Sequence, residues 1–147
     1  MGMFDSFSIS ASGLTAQRYR MDIIAENLAN VDTTRTSDGT PYRRKVVTFE
    51  ERGEHTTFSR ALSQATKHYA GQGVKATGVY EDTWTEMVKA YDPSHPDADE
   101  NGYVWYPNVN TVTEMTDLID ASRSYEANAT AFQASKSMAM KALEMGK

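Results

Sequence analysis

The first thirty residues carry apolar side chains in a seven-residue repeat. One series is Phe7, Leu14, Met21 and Leu28, and a companion series three residues earlier is Phe4, Ala11, Arg18 and Ala25. Residues 4–31 contain no proline and a single glycine, Gly13, so a helix can run through them without interruption. The pattern predicts a helix with a coiled-coil-like stripe, broken only at Arg18.

The last forty residues show the same pattern over a longer interval. One series is Leu118, Tyr125, Phe132 and Ala139, and its companion is Met115, Ser122, Ala129, Lys136 and Leu143. Residues 109–145 lack both glycine and proline, and Gly146 stands where a helix would end. The sequence therefore predicts a second long helix, with small residues that allow a partner helix to approach closely.

Turn and strand signals fill the interval between the two helices. Residues 37–41 form a predicted turn, and VVTF at 46–49 is typical of a strand. One or two hairpins are expected within residues 73–91, whereas residues 51–70 fit either a loop or a short helix. The predicted class is α+β, mainly α: terminal helices paired as a coiled-coil-like bundle around a small β-rich middle. The predicted segments are 1–34, 35–108 and 109–147.

Composition narrows the functional classes. The 147 residues include 15 basic and 20 acidic side chains, for a net charge of -5, which disfavours nucleic acid as a partner. No cysteine is present, so thiolate chemistry and disulfides are excluded. No stretch approaches the roughly 20 apolar residues of a membrane-spanning helix, and the N-terminal residues do not fit a cleavable secretory signal.

Charge is distributed unevenly along the chain. Residues 35–75 carry an excess of four basic side chains and residues 76–108 an excess of six acidic ones. The basic excess includes the arm, residues 34–49, which combines aromatic side chains with Arg35, Arg43, Arg44 and Lys45. This distribution favours electrostatic complementarity between copies or partners. A solvated surface with an exposed, charge-protected edge strand explains it equally well.

The sequence offers only weak signals for a metal site or a catalytic site. Asp97, Asp99, Asn101 and Gly102 match the first half of a calcium loop, but Asn108 stands where a bidentate glutamate is required. The three histidines, His55, His68 and His95, lack the spacing of a zinc site. The acidic loop could supply a carboxylate pair for hydrolysis, yet nothing else in the sequence fixes its geometry. We therefore predict no metal, no cofactor and no enzymatic activity.

The one-sided helices suggest how the chain gains stable order. Burial of a large apolar side chain yields about 1.5–3 kcal/mol, whereas ordering one backbone residue costs about 1–2 kcal/mol. By this comparison, two helices packed only on each other have little net stability. We expect the terminal helices to be stabilised by packing against other subunits.

Two segments carry a resemblance to a known family. Residues 10–34, and most specifically Asn27–Asn30 with the sequence NLAN, resemble the N-terminal signature of bacterial flagellar rod and hook proteins. Residues 107–147 are similar to the partner helix of that family. PYRR at 41–44 and DPSHPDADENGYVWYP at 92–107 narrow the resemblance to its proximal-rod members.

The resemblance implies an axial protein of the basal body. Its terminal helices would pack into the inner tube of a rod that transmits torque, with the middle segment facing outward. The implied partners are copies of itself, other rod proteins and the protein joining rod to membrane ring. The implied route is the flagellar type III export apparatus, without a cleavable signal peptide, to a rod within the periplasm.

Three groups of residues are assigned roles under this interpretation. Asn27 and Asn30 are expected to fix the transition from helix to arm, and Arg43, Arg44 and Lys45 to contact acidic segments of neighbours. The residues assigned to helix packing within and between subunits are Phe7, Leu14, Met21, Leu28, Met115, Leu118, Tyr125, Phe132 and Leu143. Two other classes stay open: a calcium-binding or hydrolytic periplasmic domain, and a cytoplasmic coiled-coil adaptor or export chaperone.

Overall fold

The computed structural model describes residues 3–52 and 72–146 and has a mainly helical α+β fold. Two long helices come from the ends of the chain and four short strands from its middle. In chain order these elements are α1 (Met3–Ala29), β1 (Lys45–Glu51), β2 (Val74–Glu81), β3 (Val88–Tyr91), β4 (Tyr103–Tyr106) and α2 (Thr111–Met145). The predicted fold class is confirmed.

The two helices pair in antiparallel fashion. Near the start of α1, the Phe7 ring meets the Phe132 ring edge to face, with centroids 5.1 Å apart. Farther along α1, Arg20 Nη2 lies 3.2 Å from Asp117 Oδ1. Residue numbers thus rise along α1 as they fall along α2, so the end of α1 lies beside the beginning of α2.

Polar side chains define that end of the helix pair. The Asn30 side-chain amide donates to the backbone carbonyl one turn earlier at 2.9 Å, and Thr33 Oγ1 donates to Asn30 Oδ1 at 3.1 Å. At the start of α2, Asn110 is extended and its Oδ1 accepts from the backbone N–H groups of Val112 and Thr113. The two Asn110 bonds satisfy backbone N–H groups that the start of a helix leaves without partners. The Asn30 bonds tie the end of α1 to the chain that follows it.

The four strands form two separate antiparallel pairs. β1 pairs with β2, with Lys45 opposite Glu81 and a register irregularity between Thr48 and Phe49. β3 pairs with β4. The predicted strand at 46–49 is present, but the hairpin expected within residues 73–91 is wrong, because its two strands pair with partners outside that interval. Of the undecided interval 51–70, all but the first two residues lie outside the described structure.

α1 is the central element, since it contacts α2 and also both strands of the first sheet. Ser12 connects α1 to that sheet: its hydroxyl donates to the Ile9 carbonyl at 2.6 Å and accepts from Val74 N–H at 3.0 Å. The most buried apolar residues among those described are Ala16, Ile23, Ile24, Tyr42, Val104, Pro107, Ala121 and Ala139. Neither α1 nor α2 is apolar enough to cross a membrane.

Candidate assembly surfaces and the arm junction

The predicted packing residues occupy two kinds of position. Phe7 and Phe132 contact each other directly, and Leu14, Met21, Leu28 and Leu118 are half-buried. Tyr125, Met115 and Leu143 are exposed. The buried positions of α1 lie outside the predicted series, because α1 is covered by α2 on one side and by the sheet on another. They are Ser10, Ser12, Ala16, Ile23, Ile24 and Asn27.

One face of α2 presents apolar side chains to solvent. Val112, Met115 and Ile119 are 72%, 56% and 53% exposed, and their spacing of three and four residues places them in one row. We call this row the α2 stripe. At the other end of α2, four further large apolar side chains are exposed: Met138, Met140, Leu143 and Met145. Contiguous exposed apolar surface of this kind marks interaction sites.

Asn27 binds the arm to the end of α1. Its side-chain Oδ1 accepts from the Tyr42 hydroxyl and from Lys45 N–H, both at 2.9 Å. Its Nδ2 donates to the Lys45 carbonyl at 2.9 Å and to Glu114 Oε2 at 3.0 Å. Asn27 is buried, and these four bonds use its full hydrogen-bonding capacity. One side chain therefore holds α1, the arm and α2 together.

Glu114 supplies a fully buried carboxylate at the same point. Its side chain has no exposed surface, and its Oε1 accepts from Arg44 Nε at 2.6 Å. Arg44 Nη2 also lies 3.5 Å from Asp117 Oδ2, and the other carboxylate oxygen of Asp117 pairs with Arg20. A buried carboxylate is tolerated only when it is paired and hydrogen-bonded. We call Asn27, Tyr42, Arg44 and Glu114 the arm junction.

The Tyr42 hydroxyl completes the arm junction. Burial raises the pKa of Tyr42 to about 12, and the negative charges of Glu26, Glu114 and Glu81 act in the same direction. The phenol is therefore neutral at ordinary pH and can donate to Asn27 Oδ1.

The basic residues assigned to interfaces differ in their partners. Arg44 pairs with Glu114, and Lys45 Nζ lies 2.5 Å from Glu26 Oε1. Arg43 makes no ion pair with another residue in the described part of the chain. Of the three, Arg43 is therefore best placed to meet an acidic segment of a neighbour, and this role remains a prediction.

Asn108 is a positioning residue that sequence reasoning missed. This buried side chain accepts from Arg44 N–H at 2.8 Å and donates to the carbonyls of Asp82 and Thr85 at 2.9 and 3.2 Å. Glu114 was missed as well. Glu114 lies one heptad before the buried Ala121, and neither residue belongs to the predicted series, so no signal in the sequence indicates that Glu114 faces inward.

The acidic loop uses its carboxylates internally. Asp97 accepts from the Thr34 hydroxyl at 2.8 Å and lies 3.7 Å from Arg35 Nη1. Asp99 accepts backbone bonds from Tyr103 and Asn101, which lower the pKa of its carboxyl. Within residues 3–52 and 72–146, no three metal-binding side chains form a group able to hold an ion.

The histidines do not assemble a site in the described structure either. His95 Nδ1 accepts from Asp97 N–H at 3.1 Å, so it has a structural partner. His55 and His68 lie outside the described residues.

Comparison with known families agrees with a helical assembly protein. A family model described as "Flagella basal body rod protein" matches residues 7–35, which cover most of α1 and the start of the arm. A second, described as "Flagellar basal body rod FlgEFG protein C-terminal", matches residues 100–145, which cover β4 and α2. The helix pair thus has the sequence features of flagellar basal-body rod proteins.

Full-length relatives identify the particular family. The chain is 48% identical to the flagellar basal-body rod protein FlgC of Bacillus subtilis, with 100% of both chains covered. It is 45% identical to FlgC of Borreliella burgdorferi over 97% of both chains, and 41% identical to FlgC of Salmonella typhimurium over 99% of both. The chain belongs to the FlgC family of flagellar basal-body rod proteins. These relatives are named as rod proteins and not as enzymes.

Proposed function

We propose that the chain is a structural subunit of the flagellar basal-body rod, in its proximal part. The observation that carries the proposal is the α2 stripe, an apolar surface on a helix whose opposite side is already packed on α1. Membership of the FlgC family supports the same assignment. The rod would transmit torque from the motor to the hook and filament.

Packing through the α2 stripe joins two different surfaces. Such heterologous contacts between subunits, repeated without closure, build an open helical tube. Copies of this chain and other rod proteins are the proposed neighbours. The protein that joins the rod to the membrane ring is a further proposed partner.

The proposed location is the rod within the periplasm, reached by the flagellar type III export apparatus. Because the chain has no cysteine, it can pass through a narrow channel unfolded and refold without disulfide exchange.

Electron microscopy of basal bodies tests the assignment. A strain lacking the chain is expected to show the membrane ring without rod or hook, and the wild-type chain is expected to restore both. Complete rods and hooks in the deletion strain would contradict the proposal and favour an adaptor role.

A matched pair of variants tests the α2 stripe itself. Ile119→Asp places a charge on the stripe and is expected to block rod assembly, because assembly would bury that charge unpaired. Thr113→Asp places the same charge on an exposed position of α2 outside the stripe and is expected to assemble normally. Equal behaviour of the two variants would contradict packing through this surface.

A further inference from the structure

The loop that follows β2 presents a tryptophan to solvent. Trp84 is 94% exposed. The loop is held by Asp82: its Oδ1 accepts from the backbone N–H groups of Trp84 and Thr85 at 3.0 and 3.1 Å. Thr85 Oγ1 donates to Asp82 Oδ2 at 2.7 Å. The side chain of Trp84 is therefore displayed on a fixed backbone.

This loop is also fastened to the arm junction. The buried Asn108 donates to the carbonyls of Asp82 and Thr85, and Asp82 N–H donates to the Arg44 carbonyl at 2.7 Å. A side chain on a held loop costs little backbone ordering on binding, and tryptophan is a common energetic centre of protein interfaces.

A groove able to receive an aromatic side chain lies elsewhere on the molecule. It has a volume of about 390 Å³ and runs between α1 and the first sheet. Ser12, Thr15 and Tyr19 line it from α1, and Arg52 and Lys75 line it from the sheet. Its lining residues include Arg52 and Lys75 and no acidic side chain, although Lys75 Nζ lies 3.7 Å from Glu50 Oε2 on β1. Trp84, by contrast, is flanked by Glu81, Asp82 and Glu86.

We propose that Trp84 of one subunit inserts into this groove of a second copy of the chain. The proposal rests on the assignment of the chain as a rod subunit and specifies one contact between its copies. Glu81 and Glu86, whose carboxylates are not used to hold the loop, would then face Arg52 and Lys75 of the neighbour. Complementary charge of this kind selects the partner and sets the register of the contact.

The same chain cannot make this contact with itself. The groove includes Ala76 near the beginning of β2, whereas Trp84 follows the end of β2 at Glu81. At about 3.4 Å per residue, these two points of the strand are roughly 17 Å apart. The bonds of the loop to Asn108 and Arg44 hold it away from the groove of its own chain, so the proposed contact joins two subunits.

Disulfide cross-linking in isolated basal bodies tests the contact, because the chain has no cysteine of its own. Thr83→Cys beside Trp84 and Thr15→Cys in the groove are introduced together in the full chain. Oxidation is expected to give a covalent dimer of this chain, identified by mass spectrometry.

In the control, the second cysteine is placed at a comparable threonine outside the groove instead of at Thr15. Thr130, like Thr15, is exposed on a helix and donates its hydroxyl to the carbonyl four residues earlier. The pair Thr83→Cys and Thr130→Cys is expected to give no dimer. Basal bodies that contain the chain but yield no dimer from the Thr15 pair, or a dimer with a different rod protein, would overturn the Trp84 contact alone. A rod that lacks the chain altogether would overturn the proposed function instead.

Removal of the indole tests its role within that contact. In the Thr83 and Thr15 cysteine background, Trp84→Ala is expected to slow cross-linking roughly thirtyfold, as for loss of one aromatic interface centre. Trp105→Phe is the control, since Trp105 is the other tryptophan and lies on β4. An unchanged rate in Trp84→Ala, or an equal loss in Trp105→Phe, would contradict insertion of Trp84.

Discussion

The arm junction and the α2 stripe are less than two turns apart on the same helix, yet they are opposite in character. At the junction, Glu114 is fully buried, and its carboxylate is paired with Arg44 and bonded to Asn27. On the stripe, Met115 and Ile119 remain more than half exposed. Adjacent residues such as Glu114 and Met115 thus reverse the usual rule that charge lies outside and apolar surface inside.

This contrast separates what one chain completes alone from what assembly completes. The junction satisfies its hydrogen bonds within the chain and fixes the end of α1, the arm and the start of α2 relative to one another. The stripe leaves apolar surface that only a neighbour can cover. Variants at the junction should therefore act on the stability of the single chain, and variants on the stripe should act on the rod.

The largest effect on stability is expected at Glu114. Glu114→Leu leaves Arg44 and Asn27 without their partner and should lower the free energy of unfolding by about 3 kcal/mol. Urea denaturation of the purified chain measures this change in the free energy of unfolding. Glu144→Leu removes an exposed ion pair with Lys141 and should change stability by less than about 0.5 kcal/mol.

A double substitution shows whether the loss of stability comes from the interaction between Glu114 and Arg44. Because an apolar pair can replace a buried ion pair, Glu114→Leu with Arg44→Leu should recover much of the lost stability. Losses that simply add would mean that Arg44 and Glu114 act independently, contrary to their 2.6 Å contact.

Alkaline pH should weaken the junction through Tyr42. Burial raises the pKa of its hydroxyl from 10.0 to about 12, so between these values the unfolded chain releases the phenolic proton first. The unfolded state then binds fewer protons than the folded state, and stability falls as pH rises through this window, by up to about 2 kcal/mol.

Comparison with Tyr42→Phe isolates that group, because other tyrosines and lysines titrate equally in both proteins. At pH 8 the wild type should be more stable by about 1 kcal/mol, the value of one hydrogen bond. This advantage should vanish about midway between the two pKa values and reverse by pH 12, because the loss from titration exceeds it. A difference that stays constant with pH would mean that the Tyr42 hydroxyl is not protected by burial.

The two regions also differ in how far the sequence predicts them. The helices follow from long intervals without proline, and strand β1 follows from VVTF. Of the α2 stripe, the heptad pattern names Met115 as a packing residue but not Val112 or Ile119, because the two predicted series follow the expected seam between the helices and not this row. Glu114 is not predicted either, because its burial depends on Arg44, 70 residues away, and on Asn27, 87 residues away. Helical periodicity shows which residues share a face of the helix. It does not show which distant residue pairs with a charge on that face.

A smaller effect is expected at Gly13 of α1, which faces the Asn128 side chain of α2. A Cβ atom added at Gly13 would lie 2.7 Å from Asn128 Oδ1. Gly13→Ala should therefore lower the free energy of unfolding by about 1 kcal/mol net. The steric cost of the added methyl group exceeds the roughly 1 kcal/mol by which alanine favours a helix over glycine. With Asn128→Ala present, the same substitution should become stabilising. Thermal unfolding of the three variants measures this reversal, and its absence would place the two helices farther apart.

The smallest effect on the single chain is expected on the stripe, and it separates the two regions most clearly. Ile119 is 53% exposed, so Ile119→Asp should change the free energy of unfolding by no more than about 0.5 kcal/mol. The same variant is expected to block rod assembly. Urea denaturation of the purified chain and microscopy of basal bodies, done on this one variant, measure both quantities. A large loss of stability would mean that Ile119 belongs to the core of the chain, and that failed assembly reflects misfolding; unchanged stability with failed assembly would assign Ile119 to a contact between subunits.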